Sequence, residues 1–248
     1  RIEEDQIEDP LHIRRRDREF VALLEAKQIH LFDFNHSTYR GVSRRDRIEG
    51  NPSEVTDVER SLHPSPFPRF WGDSSIVEEM FSAKDWRYQW TIGVRDVTNS
   101  TNERTAIMAV LPRIGLIQPL NGVTLESTAV AVWTVGAVNS FACDYVARQK
   151  TPGSHLNVTI FAQLPVPMAE NSGSVLVSLE DIVRELTYTT WDLLPFASDR
   201  GWSSPPYRWD ERRRFLLRCE LDAAFFHLYL PGTPDGQWKP ARIADGAV

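Results

Sequence analysis

Apolar and polar positions alternate most clearly in "YQWTIGVRDVT" (Tyr88 to Thr98). Tyr88, Trp90, Ile92 and Val94 share one face, and Gln89, Thr91, Gly93 and Arg95 share the other. A period of two over this length predicts a half-buried strand. "AIMAVLP" and "RIGLIQPL" follow as two further strands after the polar turn "NSTNERT". Together they predict a small, mostly antiparallel sheet. "QIHLFDF" (Gln28 to Phe34) also reads as a strand, and the mixed-charge stretch Arg14 to Lys27 as a short helix. Arg40 to Arg69 carries Arg, Ser, Asp and Pro without a period and reads as a long loop.

The period then changes. "STAVAVWTVGAV" and "NSFACDYVARQK" predict two short helices, with Asn139 as the N-cap of the second. "TPGSHLN" reads as a tight turn and "VTIFAQLPVP" as an extended exit. Further on, Ser178-Leu179-Glu180-Asp181 resembles a capping box, Leu179, Ile182, Val183 and Leu186 keep helical spacing, and Pro195 ends the helix. A last helix starts near Asp210, with Leu217, Leu221, Ala224 and Leu228 in one stripe and Pro231-Gly232 as its stop. The expected fold class is α+β, a small mostly antiparallel sheet with packed helices followed by a helical C-terminal part. The expected divisions are 1–27 as a connecting segment, 28–170 as the α+β domain and 171–248 as the helical part.

Composition narrows the function classes. No apolar run approaches the roughly 20 residues a membrane helix requires. A chain opening on Arg1 without a leader reads as a piece of a longer polypeptide. Cys143 and Cys219 lie in apolar helical segments and read as buried thiols of a cytoplasmic chain. The net charge is −6, which argues against a compact basic DNA-binding domain. It is uneven, however: Trp86 to Met168 holds six basic against four acidic residues. An acidic flank around a weakly basic centre is compatible with DNA contact.

"SSPPY" (Ser203 to Tyr207) fits on paper the catalytic loop of enzymes that methylate the adenine amine in DNA. That loop belongs at a strand end beside S-adenosylmethionine, with a Gly-rich turn upstream. Here the segment falls between two predicted helices and no such turn precedes it, so it reads as a proline turn. His30, Asp33 and His36 invite a metal reading, but two histidines six residues apart on one strand lie about 20 Å apart, beyond the reach of one ion. Arg212-Arg213-Arg214 fans around a helix and reads as a solvated, salt-bridged face. No serine-hydrolase elbow, phosphate loop or zinc spacing occurs. "DYVARQKTPGSHLN" (Asp144 to Asn157) gathers Arg148, Gln149, Lys150, Ser154, His155 and Asn157 at a helix end and turn. This chemistry suits phosphate and base-edge contacts, and equally an ordinary basic helix terminus.

"EAKQIHLFDFNHSTYRG", "PRFW", "GVRDVTNSTNERTAIMAVLPR", "NSFACDYVARQKTPGSHLN" followed by "QLPVP", and "RWDERRRFLLRCELDAAFFHLYL" occur in this order. The series resembles the C-terminal half of large bacterial adenine-specific DNA methyltransferases of the type IIG restriction–modification and phage-defence class, over most of Lys27 to Leu230. It is similar in design to the recognition domains of type I specificity subunits. The resemblance implies a target-recognition region that contacts duplex DNA. It also implies that the catalytic domain and its S-adenosylmethionine lie elsewhere, in the same parent chain or a partner subunit. The resemblance favours Arg148, Lys150, Ser154, His155 and Asn157 as DNA contacts; Arg95, Arg104, Arg113 and Gln149 complete the candidate set, with no catalytic or metal-binding residue. Two alternatives stay open: Arg95 and Arg104 hold the fold by pairing with Asp96 or Glu103, or the chain is a protein-interaction module docking a partner subunit.

Overall fold

The computed structural model describes residues 7–62, 65–98, 102–167 and 175–230. Strands and helices are both present, the sheets are mostly antiparallel, and a long helix closes the described chain, so the fold is α+β. Three antiparallel strands form its centre: β6 (Trp90–Arg95) lies between β7 (Met108–Pro112) and β9 (Leu120–Val123). Trp90 to Val94 are all buried, so β6 is covered on both faces instead of showing one to water. Gly93 sits where a Cβ would stand 2.7 Å from Leu111 and 3.1 Å from Leu120. The alternation therefore marked a true strand, while on the opposite face Thr91 and Gly93 are covered by neighbouring segments and Gln89 stays exposed.

A second sheet is built from β1 (His12–Arg15), β2 (Arg18–Leu24) and β5 (Phe70–Asp73), with the short β8 (Gly115–Leu116) parallel to β2. Where a short helix was expected over Arg14 to Lys27, a hairpin forms. Arg16 takes positive φ at the tip, and Val21, Ala22 and Leu24 are buried with Leu11. Residues 12–24 are thus an integral layer rather than a connector. "RIGLIQPL" splits, giving β8 to this sheet and β9 to the central one. Within Arg40 to Arg69 the chain forms α1 (Arg44–Glu49) and α2 (Asp57–Ser61), capped by Ser43 and Thr56, with β3 (Ser37–Thr38) paired to β4 (Ser53–Glu54). α3 (Ser74–Ser82) follows β5 directly.

α4 (Thr128–Asn139) is the axis of the helical layer and is buried almost all round. It packs on β7, on α5 (Phe141–Lys150), on α7 (Val175–Thr187) and on α8 (Leu194–Arg200). Gly136 makes the close approach possible, because a Cβ there would stand 2.9 Å from Val183 and 3.2 Å from Phe225. α7 begins upstream of Ser178, so no capping box forms there. It ends before Pro195, which instead occupies the first turn of α8. Leu179, Val183 and Leu186 are buried as their spacing requires. α9 (Glu211–Tyr229) is capped by Asp210 and buries Leu217 and Leu221; the expected stop at Pro231-Gly232 lies outside the described residues. One continuous hydrophobic core runs from Leu11 to Phe225, so no break in packing separates the sheets from the C-terminal helices. No single described helix is long and apolar enough to cross a membrane.

Between α4 and α5 the capping differs from expectation. Ser140 caps α5 by accepting from the Cys143 N–H, which frees Asn139 to face β7. The Asn139 Oδ1 accepts from the Met108 N–H at 2.9 Å and its Nδ2 donates to the Met108 carbonyl at 2.8 Å. Asn139→Ala leaves the buried Met108 N–H without an acceptor and is expected to cost about 1–3 kcal/mol, measured as a lower urea midpoint at unchanged slope.

Candidate functional site

The loop after α5 is held from both ends. Asp144, 1% exposed, accepts from the Thr105 and Ala106 N–H groups, and Arg148 Nε donates to its other oxygen at 2.7 Å. Arg148 Nη2 also donates to the carbonyls of Asn102 and Glu103, at 2.7 and 2.8 Å. Beyond Lys150 the chain runs back along the end of β6. The Thr98 N–H donates to the Ser154 carbonyl and the Leu156 N–H to the Asp96 carbonyl, with Leu156 fully buried as the anchor. His155 Nδ1 lies 3.0 Å from Asp96 Oδ1. Asn157 Oδ1 accepts from the Ile160 N–H and caps α6 (Val158–Phe161), a helical turn where an extended exit was expected.

This arrangement sorts the sequence candidates. Gln149 and Lys150 at the end of α5, and Ser154, His155 and Asn157 in the loop after it, are all exposed. Among the described residues the Gln149 amide and the Ser154 hydroxyl make no hydrogen bond, and Lys150 reaches only Gln163 at 3.4 Å. Three arginines are instead spent inside the molecule. Arg148 is bound as above. Arg104 pairs with Asp222 at 2.7 Å over the ring of Phe141. Arg113 grips the Glu78 carboxylate with two nitrogens at 2.8 and 2.7 Å and donates to the carbonyls of Trp86 and Tyr88. The fold-holding alternative thus describes Arg104, though its partner is Asp222 on α9. Arg95 is half-buried and has no carboxylate partner among the described residues.

A polar cleft of about 320 Å³ is the second feature, and sequence reading missed it. "QIHLFDF" is not a strand: a 3-10 turn over Ala26–Gln28 and a positive φ at Phe32 reverse the chain. The backbones of His30 and Asp33 then bond to each other, and the His30 and His36 rings come to 4.7 Å between centroids instead of about 20 Å apart. Even so, no group of three or more His, Cys, Asp or Glu among the described residues could hold a metal ion. Arg60 Nη1 donates to Asp33 Oδ2 at 2.6 Å, and both side chains are buried. Two guanidiniums lie against Trp209, Arg60 4.0 Å and Arg214 3.8 Å from its ring. Arg218 pairs with Glu103 at 2.9 Å across the cleft. The triple arginine is therefore not uniformly solvated: Arg213 is exposed and paired with Glu185, but Arg214 is buried. One signal was available, since Arg214 falls on the apolar stripe of Leu217 and Leu221. Cys219, expected to be buried, lies on the outer face of the same helix; Cys143 is buried.

Ser204 to Tyr207 lies in irregular chain between α8 and α9, with the Tyr207 N–H donating to the Tyr188 carbonyl. No protein-family model, curated protein or solved structure matches this chain.

Burial shapes the electrostatics of the cleft. It pulls His30 down to about 4, helped by the charges of His36 and Arg95, and it also lowers His36. Both rings are consequently neutral at pH 7. Their depressed values mean that the unfolded chain takes up protons which the folded chain refuses. The stability they contribute is whole above pH 6.5 and falls as the pH drops toward about 4. Chemical denaturation across pH 7 to 4.5 is expected to show this decline, with a shallower slope in His30→Gln. Identical slopes would place the titration elsewhere. Arg148→Ala strands the buried Asp144 charge and is expected to cost about 3–5 kcal/mol of stability in the same assay.

Proposed function

We propose that this chain is the sequence-reading portion of a bacterial adenine-specific DNA methyltransferase of a restriction–modification or phage-defence system. It positions duplex DNA for a catalytic domain that binds S-adenosylmethionine and flips the adenine. The observation that carries this reading is the 149–157 loop. Its backbone is fixed to the end of β6, while Gln149, Lys150, Ser154, His155 and Asn157 face solvent. A rigid backbone presenting long cationic, amide and imidazole groups suits phosphate gripping and base-edge hydrogen bonding without ordering cost at the loop. The segments that carry the family resemblance also converge. Residues 28–36 and 209–218 line the cleft together with Glu103, and Arg148 ties Glu103 to the loop helix.

A protein-docking reading has its own support. Phe215, Leu216 and Phe226 on α9, with Phe141 and Tyr145 on α5, are large apolar side chains left about half exposed on adjoining helices. The two readings differ in their response to salt. DNA contact weakens steeply with salt as counter-ions are released, and apolar docking does not.

Selection from a randomised duplex pool at moderate salt, followed by sequencing, tests the reading directly. An enriched short motif is expected; retention of no DNA under any salt condition would overturn it. Lys150→Ala is expected to weaken binding to all duplexes and reduce the salt slope by about one. Gln149→Ala or His155→Ala is expected to relax base preference by roughly 5- to 150-fold at one position, matching about 1–3 kcal/mol of discrimination. An acidic residue at Gly153, where an added side chain meets nothing within 4 Å, is expected to weaken DNA binding and leave the unfolding midpoint unchanged.

A further inference from the structure

One ring nitrogen of His155 is already engaged. Its Nδ1 lies 3.0 Å from Asp96 Oδ1, with the His155 side chain 60% exposed and the Asp96 side chain 17%. An ionised carboxylate only accepts hydrogen bonds, so Nδ1 is the nitrogen that carries the proton. In a neutral ring this leaves Nε2 as a bare acceptor. Nε2 sits on the far edge of the imidazole and makes no hydrogen bond among the described residues.

The pair is in place before any ligand arrives. The Asp96 N–H donates to the Pro119 carbonyl at 2.9 Å, and the Asp96 carbonyl accepts from the Leu156 N–H at 2.7 Å. Leu156 is fully buried, and Val97 and His155 pair across a β-bridge. Backbone bonds therefore set the carboxylate and the ring against each other, and neither side chain is needed to hold the two segments together. An ion pair with one exposed partner adds little to stability. Its consequence is chemical, because it selects one of the two neutral imidazole tautomers.

A lone acceptor discriminates between bases. In the major groove the donors are the amino groups of adenine and cytosine, whereas guanine and thymine present acceptors there beside the thymine methyl. Gln149 and Ser154 each offer both a donor and an acceptor, and Lys150 offers donors only. Of these exposed groups, His155 is the one that presents an acceptor without a donor. We propose that Asp96 is a positioning residue that fixes His155 in the Nδ1–H tautomer, so that Nε2 accepts from the exocyclic amine of an adenine or cytosine in the major groove. The base contact rests on the DNA-reading function proposed above; the tautomer does not.

Heteronuclear NMR of the imidazole nitrogens, on the whole chain at about pH 8 where an imidazole is ordinarily neutral, reads the tautomer without DNA. A protonated Nδ1 and a bare Nε2 are expected for His155. In Asp96→Asn, whose amide both donates and accepts, a mixture of the two forms is expected. A protonated Nε2 in the parent chain overturns the proposal. Selection from the randomised duplex pool is then run on the parent, Asp96→Asn and His155→Ala. One motif position is expected to favour adenine or cytosine by roughly 5- to 150-fold in the parent and to lose that preference in both variants, at unchanged unfolding midpoints. Purine in place of that adenine, or pyrimidinone in place of that cytosine, removes only the amine. Either should weaken the parent by the same factor and leave His155→Ala unaffected. A motif identical in all three proteins overturns the base contact and leaves the DNA reading standing. Loss of a guanine or thymine preference in the variants overturns the acceptor role. Retention of no duplex by the parent overturns the DNA reading and the base contact together.

Discussion

The Asp144 carboxylate is the contact on which the rest of this arrangement depends. It is buried, and it satisfies two backbone N–H groups at residues 105 and 106 while binding Arg148. A buried carboxylate is tolerable only when its lone pairs are taken in this way. The consequence is geometric. The entry to β7 is pinned to α5, Arg148 is aimed at the carbonyls of Asn102 and Glu103, and Glu103 is presented to Arg218 on α9. Asn139 adds a second tie two residues further along, at Met108. Sheet, helical layer and cleft are thereby fixed relative to one another by a few polar groups inside an apolar core.

This wiring also explains why the arginines of this protein do not add up to a basic surface. Arginine serves here as a structural fork, using several planar donors to join carbonyls and carboxylates that would otherwise be buried unpaired. Arg113 closes α3 against residues 86–88, Arg104 joins the 102–104 segment to α9, and Arg60 closes the His30–His36 reversal. With those guanidiniums committed, the outward chemistry falls to smaller and more adaptable groups at residues 149–157. The loop and the cleft share the 102–103 segment through Arg148 and Arg218.

Sequence alone determined the elements whose cause is local. The β6 alternation, the apolar run of α4, the stripes of α7 and α9 and the Asp210 cap follow from side-chain period and capping chemistry within a dozen residues. The exposed polar loop after α5 was legible too, because Gly153, Pro152 and the polar residues around them have no apolar period to bury. Tertiary structure decided everything whose cause lies far away in sequence. The reversal at Phe32 is closed by Arg60 from another segment, and two histidines read as distant became neighbours. Arg148, Arg104 and Arg113 look like surface cations in sequence, yet the fold brings Asn102, Asp222 and Glu78 to them. Arg214 looked solvated until α7 and Trp209 covered it. Periodicity encodes which face of an element seeks the core. Which acceptor meets a given donor is set by packing between segments, and so it appears only in the folded chain.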